Sequence, residues 1–591
     1  MRLLLLLSLL MPMCTFAQGN WHLQLRPQDH DAAFFNKHLK TKDTYNSETQ
    51  LRKELGQMLL KLYDNGYLGA SVDSLEWKGD TAIAWVFGGP QIEWVQLRPG
   101  NVDIPILSQA KYKDRFFTGQ PVNYRQLNGL LNDILTYAEN NGHPFAQVKL
   151  DSLEMTDSTL SASIYLQKNQ LIKYDTIALD GDPKITRAYL YNYLGIRPGD
   201  LYDESAVKRI KQRLDDIGFL TELRPPEIIF EADKAKVTLY LQNRKTSRFD
   251  FLLGILPNNA ISGRILFTGE ANLELQNAFG AAEEIRLNWR KMQTGTQNLD
   301  IAAKYPYLFS LPIGIDGNFQ LYKRDTLFLD INYELGLQYL FAGRHYIRAF
   351  FHNKATNVLN VDTTYIIRNR TLPEYNDVRN SLFGLEYYYE RLDYRFNPRK
   401  GHLLRLSAGA GTRRIRPISR IETLVDPLNP DETFAFLYDS IKLTTVQYRF
   451  TWQYDRFWPI GRRSTLKTGM RGGSFISNPV FINELFRIGG SRLLRGFDEE
   501  SIFVSTFNVL SAEFRFLLSK NSFFQVFMDA AYVEDRTLDK FRRDFPYGFG
   551  AGITFETKAG MFAVSYALGS QQGNPIDFRS SKVHFGYYNL F

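Results

Sequence analysis

Cysteine is almost missing. The 591 residues hold one, Cys14, which excludes a disulfide framework and a cysteine ligand set. No stretch of 18 apolar residues occurs, which excludes a membrane-spanning helix. The signatures HExxH, GxSxG, Walker A and Cys-x-x-Cys are absent as well. The eight histidines are scattered: His345 and His352 fall near predicted loops, and His584 in a strand, on the face opposite Val583. None has a nucleophile at a telling spacing. The acidic run Asp498-Glu499-Glu500 reads as a solvated loop tip. We therefore expect no enzyme activity, no cofactor and no metal. The net charge of +8 is spread along the chain and suggests no nucleic-acid partner.

What is present is aromatic. Phe, Tyr and Trp make up 14% of the chain, with 44 Phe and 33 Tyr, while 23% of residues remain charged. That mixture does not suit a bundle of membrane helices. Residues 1–17 read as a secretory signal peptide: Arg2, a short greasy run from Leu3 to Met11, and Thr15-Phe16-Ala17 before the cleavage point. The greasy run is too short to cross about 30 Å of hydrocarbon. Cys14 would leave with this segment. Pro12-Met13 fits poorly before a lipidated cysteine.

The N-terminal third repeats itself. Three helix-like segments end in -LLKLYDNGYLGASV-, -ILTYAENNGHPFAQV- and -IKQRLDDIGFLTEL-, and their glycines Gly66, Gly142 and Gly218 are spaced by 76 residues. Leu55, Met58 and Leu62 form an i, i+3, i+7 stripe. Leu131, Ile134 and Ala138 match it, as do Val207, Ile210 and Leu214. Strands of alternating pattern follow each helix, as in -TAIAWVF-, -LSASIYLQ- and -KVTLYLQ-. Copies two and three also open with a strand. Each unit reads β-α-α-β-β, an α/β module. The expected domains are 18–90, 91–169 and 170–245, then 246–591.

From about Ser247 the period becomes two. In 444–455 Val446, Tyr448, Phe450, Trp452 and Tyr454 point one way, and Thr445, Gln447, Arg449, Thr451, Gln453 and Asp455 the other. One face is a continuous apolar row, and the other is too charged for a core. Such a strand has a lipid side and a lumen side. About sixteen segments start near 247, 262, 280, 296, 312, 326, 344, 380, 401, 441, 463, 504, 522, 547, 560 and 581. The fold class is thus a membrane β-barrel of about sixteen antiparallel strands behind three α/β modules. Long loops are expected near 355–379, 413–440 and 475–503.

Two features resemble known families. The three modules resemble polypeptide-transport-associated (POTRA) domains in order and period. The loop -FRIGGSRLLRGFDEESI-, between predicted strands eleven and twelve, resembles the [VI]RG[FY] motif of the BamA–TamA insertase superfamily. Leu494 stands where that family has Val or Ile, and Ala530-Ala531 where it often has a glycine. The segment -FNPRKGHLLRL- at 396–406 adds a further match. The last strand, -SKVHFGYYNLF, carries Phe585, Tyr587 and terminal Phe591 and resembles the assembly signal of outer-membrane barrels.

The resemblance implies a loop folded back into the lumen, its arginine paired with inner-wall carboxylates. By alternation Glu513 faces the lumen opposite Phe514, and Asp529 faces it opposite Met528 and Ala530. The implied latch is Arg495, with Gly496 and Phe497, to Glu513 and Asp529. Gly489, Gly490 and Gly496 would permit the tight path. The implied function is outer-membrane protein insertion or translocation. Modules in the periplasm would dock unfolded outer-membrane clients, and a seam between first and last strands would open within outer-membrane lipid. Accessory lipoproteins or a TamB-like inner-membrane partner remain open. The rivals are a two-partner-type secretion pore for one polypeptide, usually with two modules and a plug helix, and a passive porin or transporter.

Overall fold

The computed structural model describes residues 21–39, 44–244, 246–256, 266–293, 295–341, 344–394, 397–491, 493–498, 500–537, 540–557 and 560–588. The signal segment, Cys14 and Phe591 lie outside the described residues. The chain forms two compact units. One comprises residues up to 174 with 199–207 and 230–235; the other comprises 175–198, 208–229 and 236 onward.

Three small sheets follow one plan. Each has three strands, ordered opening strand, last strand, middle strand. In the first, His22–Pro27 runs parallel to Thr81–Phe87, and Ser71–Lys78 runs antiparallel to it. The opening strand of this copy was not legible in the sequence. Ala82, Ala84 and Val86 of the central strand share a core with Leu51, Leu55, Met58 and Leu62 of the helix Glu48–Tyr63. Ser47 caps that helix by accepting from the Gln50 amide. The second copy repeats this with helix Tyr124–Asn140, capped by Asn123, and with Ile134 and Ala138 in the core. Gly66 and Gly142 both adopt φ +90° just past their helices. In the third copy the expected helix is broken at Arg209 into Glu204–Lys208 and Ile210–Asp215.

The barrel is one antiparallel sheet. Its first eight strands are β1 (Arg248–Leu256), β2 (Leu266–Gln276), β3 (Glu284–Gln293), β4 (Thr296–Tyr305), β5 (Ile313–Arg324), β6 (Phe328–Leu340), β7 (Tyr346–Val358) and β8 (Asp377–Leu392). The others are β9 (Gly401–Arg416), β10 (Thr444–Ile460), β11 (Ser464–Ile476), β12 (Thr506–Leu517), β13 (Phe523–Thr537), β14 (Tyr547–Thr557), β15 (Gly560–Ser570) and β16 (Lys582–Tyr588). A short segment, Lys540–Asp544, pairs with the end of β13 beyond its pairing with β14 and continues that strand's line. All sixteen observed starts fall within four residues of the expected positions. Among the described residues β1 and β16 are the two ends of the sheet order, with no pairing between them.

Alternation sorts the wall as expected. On β10, Val446, Tyr448, Phe450 and Tyr454 are exposed outward, whereas Gln447 and Asp455 are buried inward. The lumen side carries charge networks. Arg348 on β7 pairs with Asp316 on β5 and Glu334 on β6, and His352 meets Glu334 at 3.1 Å. His352 thus sits within a strand on the lumen side, not near a loop.

The three long loops, 359–376, 417–443 and 477–505, gather at one end of the barrel. Their side chains Ile366, Ile421, Phe434 and Phe481 are fully buried in one apolar cluster. The opposite end carries short turns and faces the third module.

Candidate functional site

The loop between β11 and β12 enters the lumen. Its descending and returning limbs, Phe486–Ile488 and Ile502–Val504, pair as a short antiparallel ladder. Gly489, Gly490 and Gly496 hold φ of +110°, +100° and +98°, the region that favours glycine. A Cβ on Gly496 would lie 2.6 Å from the Leu568 carbonyl oxygen on β15. The loop backbone therefore lies directly on the wall.

Beyond this bend the Arg495 guanidinium meets both expected carboxylates. Its Nε and Nη2 donate to the two oxygens of Asp529, each at 2.7 Å, and its Nη1 donates to Glu513 Oε2 at 2.7 Å. The Arg495 backbone N–H also donates to Asp529 Oδ2 at 3.0 Å. Asp529 is 1% exposed and Glu513 5%. Two buried anions are tolerable here because a fixed cationic fork satisfies them. Glu513 has a further partner in Arg515, whose Nε donates to Oε1 at 2.6 Å. Phe497, beside the latch, is buried with Leu494, Val509, Ala531 and Val533. The tip is thus clamped by charge on one side and apolar packing on the other.

Sequence reasoning missed several participants. The Arg495 guanidinium stacks over the Phe527 ring at 3.7 Å. Phe527 shares the lumen face of Asp529, so alternation alone could have nominated it. Gly548 on β14 is a second. A Cβ there would sit 1.9 Å from the Arg495 carbonyl oxygen, and one on Gly569 would sit 2.7 Å from that of Gly496. The alternating glycines 548, 550 and 552 were the visible signal. The Gly496 amide also approaches His584 Nε2 at 3.4 Å, which places His584 on the expected face.

The same loop has a second anchor that no motif announced. Arg413 on β9 donates to both oxygens of Glu484, Nε to Oε1 and Nη2 to Oε2, each at 2.6 Å. Both side chains are essentially unexposed, at 0% and 1%. Glu484 also accepts the Phe481 amide at 3.1 Å, which ties the loop's first turn to the pair.

Of the acidic run, Asp498 and Glu500 each lie near a cation, the latter 3.9 Å from Arg487, and Glu499 lies outside the described residues. Asp498 reaches Lys582 at 2.7 Å, and Glu500 is exposed. Of the terminal aromatics, Phe585 and Tyr587 occupy β16 opposite Val564 and Phe562. No cluster suited to a metal ion occurs among the described residues.

Comparison with known proteins follows this geometry. A family model described as the Omp85 superfamily domain matches residues 277–587. A POTRA model, the surface antigen variable number repeat, matches 172–244. No curated protein matches by sequence. Among solved structures, CdiB from Escherichia coli is similar at TM-score 0.51 and 12% identity, covering 91% of this chain and 96% of that one. CdiB from Acinetobacter baumannii gives 0.48 and 12%, covering 92% and 96%. BamA from Haemophilus ducreyi lacking POTRA domains 1–3 gives 0.41 and 15%, covering 84% and 98%. At these identities the likeness concerns the fold.

Proposed function

The chain belongs to the Omp85 superfamily, whose members handle polypeptide substrates in the outer membrane, and from that premise we propose that it is an insertion or translocation factor of the BamA/TamA type. It works without catalytic chemistry. Its periplasmic modules, assigned to 18–90, 91–169 and 170–245, receive unfolded outer-membrane clients by strand addition, since backbone pairing accepts any sequence. The seam between β1 and β16 then opens toward lipid and offers an unpaired edge to a client hairpin. Folding and lipid burial of the client drive the step.

The observation that carries this reading is the Arg495 fork on Glu513 and Asp529. The fork holds a long loop inside the lumen by a buried charge network, which gives a barrel whose wall must part and reclose an internal strut. The latch joins β12 and β13 to the loop, and the loop rests on β14 and β15 at Gly548 and Gly569. Four strands next to the seam are thereby held as one body. Three modules, where a two-partner-type pore usually carries two, support this reading over that one.

Depletion tests it. Loss of several unrelated barrels from the outer membrane is the expected result. Loss of a single secreted polypeptide, with the other barrels intact, would establish the secretion pore instead.

A further inference from the structure

The short turns at the module end of the barrel are not alike. Most are charged: 393–400 reads DYRFNPRK and 461–463 reads GRR. Two neighbours differ. Residues 277–283, between β2 and β3, read NAFGAAE, whose one charged residue, Glu283, is buried, and 306–312, between β4 and β5, read PYLFSLP, with no charge. A turn that meets only water is normally polar.

Both apolar turns are held in a costly conformation. Asn277 and Ala282 hold φ of +53° and +61°; Tyr307, Phe309 and Ser310 hold +54°, +53° and +64°. Non-glycine residues rarely adopt this region unless their surroundings enforce it. The first turn folds over the buried Glu283 carboxylate, which accepts the Phe279 and Ala281 amides. The inner side of each turn grips the third module. Asn277 donates to the Lys184 carbonyl at 2.6 Å, and the Thr186 amide donates to the Gly280 carbonyl at 3.1 Å. Tyr307 packs edge-on against Tyr189 at 5.3 Å, and Asn192 donates to the Ser310 carbonyl at 3.1 Å.

The outer side of each turn throws out one ring. Phe279 is 80% exposed and Phe309 84%. Leu311, Tyr305 and Ile315 are exposed beside Phe309, and the last two occupy lipid-side positions of β4 and β5. Around the second turn the apolar surface therefore continues from the hydrocarbon-facing wall onto Phe309 and Leu311.

We propose that turns 277–283 and 306–312 are two-sided anchors, gripping the third module inward and inserting Phe279 and Phe309 into the periplasmic leaflet of the membrane. The inference rests on the membrane-barrel reading. The occupant is lipid because the patch extends a lipid-facing surface, and turns with outward phenylalanines and no outward charge suit the acyl boundary. Its consequence is that helix Arg187–Leu194 is held at a fixed height above the bilayer on the side of β2 to β5.

Single-cysteine spin labelling tests this, because Cys14→Ser leaves a cysteine-free chain. Phe279→Cys and Phe309→Cys are labelled in the full protein reconstituted in phosphatidylethanolamine vesicles. The controls are Phe383→Cys on the lipid side of β8 and Leu428→Cys on an exposed outer hairpin, at 68% and 83% exposure. The expected result is that labels at 279 and 309 collide several-fold more with oxygen than with a polar nickel chelate, as at 383. Chelate-accessible labels at 279 and 309, with 383 still oxygen-accessible, would overturn the anchor and spare the barrel reading. Shielding that appears only when an unfolded client is added would also overturn it, in favour of a client surface. Chelate access at 383 as well would overturn both readings.

Discussion

Arg495 and Asp529 share three hydrogen bonds, whereas Glu513 divides its oxygens between Arg495 and Arg515. Removing the arginine therefore strands one carboxylate much more than the other. Arg495→Ala should abolish complementation in a depleted strain while heat-modifiable migration still reports an assembled barrel; wild-type complementation would sink the latch. An uncompensated buried charge costs about 3–5 kcal/mol, so adding Asp529→Asn should recover part of the lost barrel stability. Arg495→Lys should fail, because one ammonium cannot replace a fork shared by two carboxylates. Gly548→Val tests the seat rather than the charge. Its side chain would occupy the place of the Arg495 carbonyl, so protease should cut the 485–500 loop in the variant and spare it in the wild type.

At the scale of elements, the loop between β11 and β12 is one strap with two buried clasps. The Arg413–Glu484 clasp holds its outer end under the cap of long loops. Arg413→Leu alone should lower stability by about 3–5 kcal/mol, and Arg413→Met with Glu484→Leu should restore most of it, since an apolar pair of similar volume often matches a buried ion pair. The midpoint of detergent unfolding measures both. The cap also contains an acid-sensitive contact. Arg370, 2.6 Å away, holds the Asp426 carboxyl below the usual carboxylate range, with help from the Leu428 amide. A lowered folded-state pKa means the contact stabilises above the ordinary Asp value of about 3.9 and is lost as pH falls through the folded one. Amide protection in the 425–433 hairpin, measured relative to the intrinsic exchange rate at each pH, should therefore be high at neutral pH and fall only in strong acid. Equal protection at both pH values would show that the pair does not order the hairpin.

For the whole molecule the testable event is the parting of β1 from β16. Cysteines placed in 248–256 and 582–588 of a Cys14→Ser chain should block activity when oxidised and release it on reduction. Normal function of the cross-linked protein would mean that clients do not leave by the seam. Much of this plan is legible in the residue pattern. The strand starts follow from period two because lipid and lumen impose opposite polarity on successive residues. Helix Glu48–Tyr63 follows from its stripe for the equivalent reason at period 3.6. The break at Arg209 in the third module and the opening strand at His22 escaped, since short elements carry too few repeats of either period.

By itself the sequence determined the sixteen strands and the inward faces of Glu513, Asp529 and His584, because each depends only on local alternation, and the three repeats, because their period of 76 is written along the chain. Only the tertiary structure decided which groups meet. Glu484 and Arg413 are 71 residues apart, and the turns that carry Phe279 and Phe309 meet the third module through strand order and turn conformation. Contacts of that kind are set by how the sheet curves and by which backbone a glycine lets approach, and neither leaves a periodic trace in the chain.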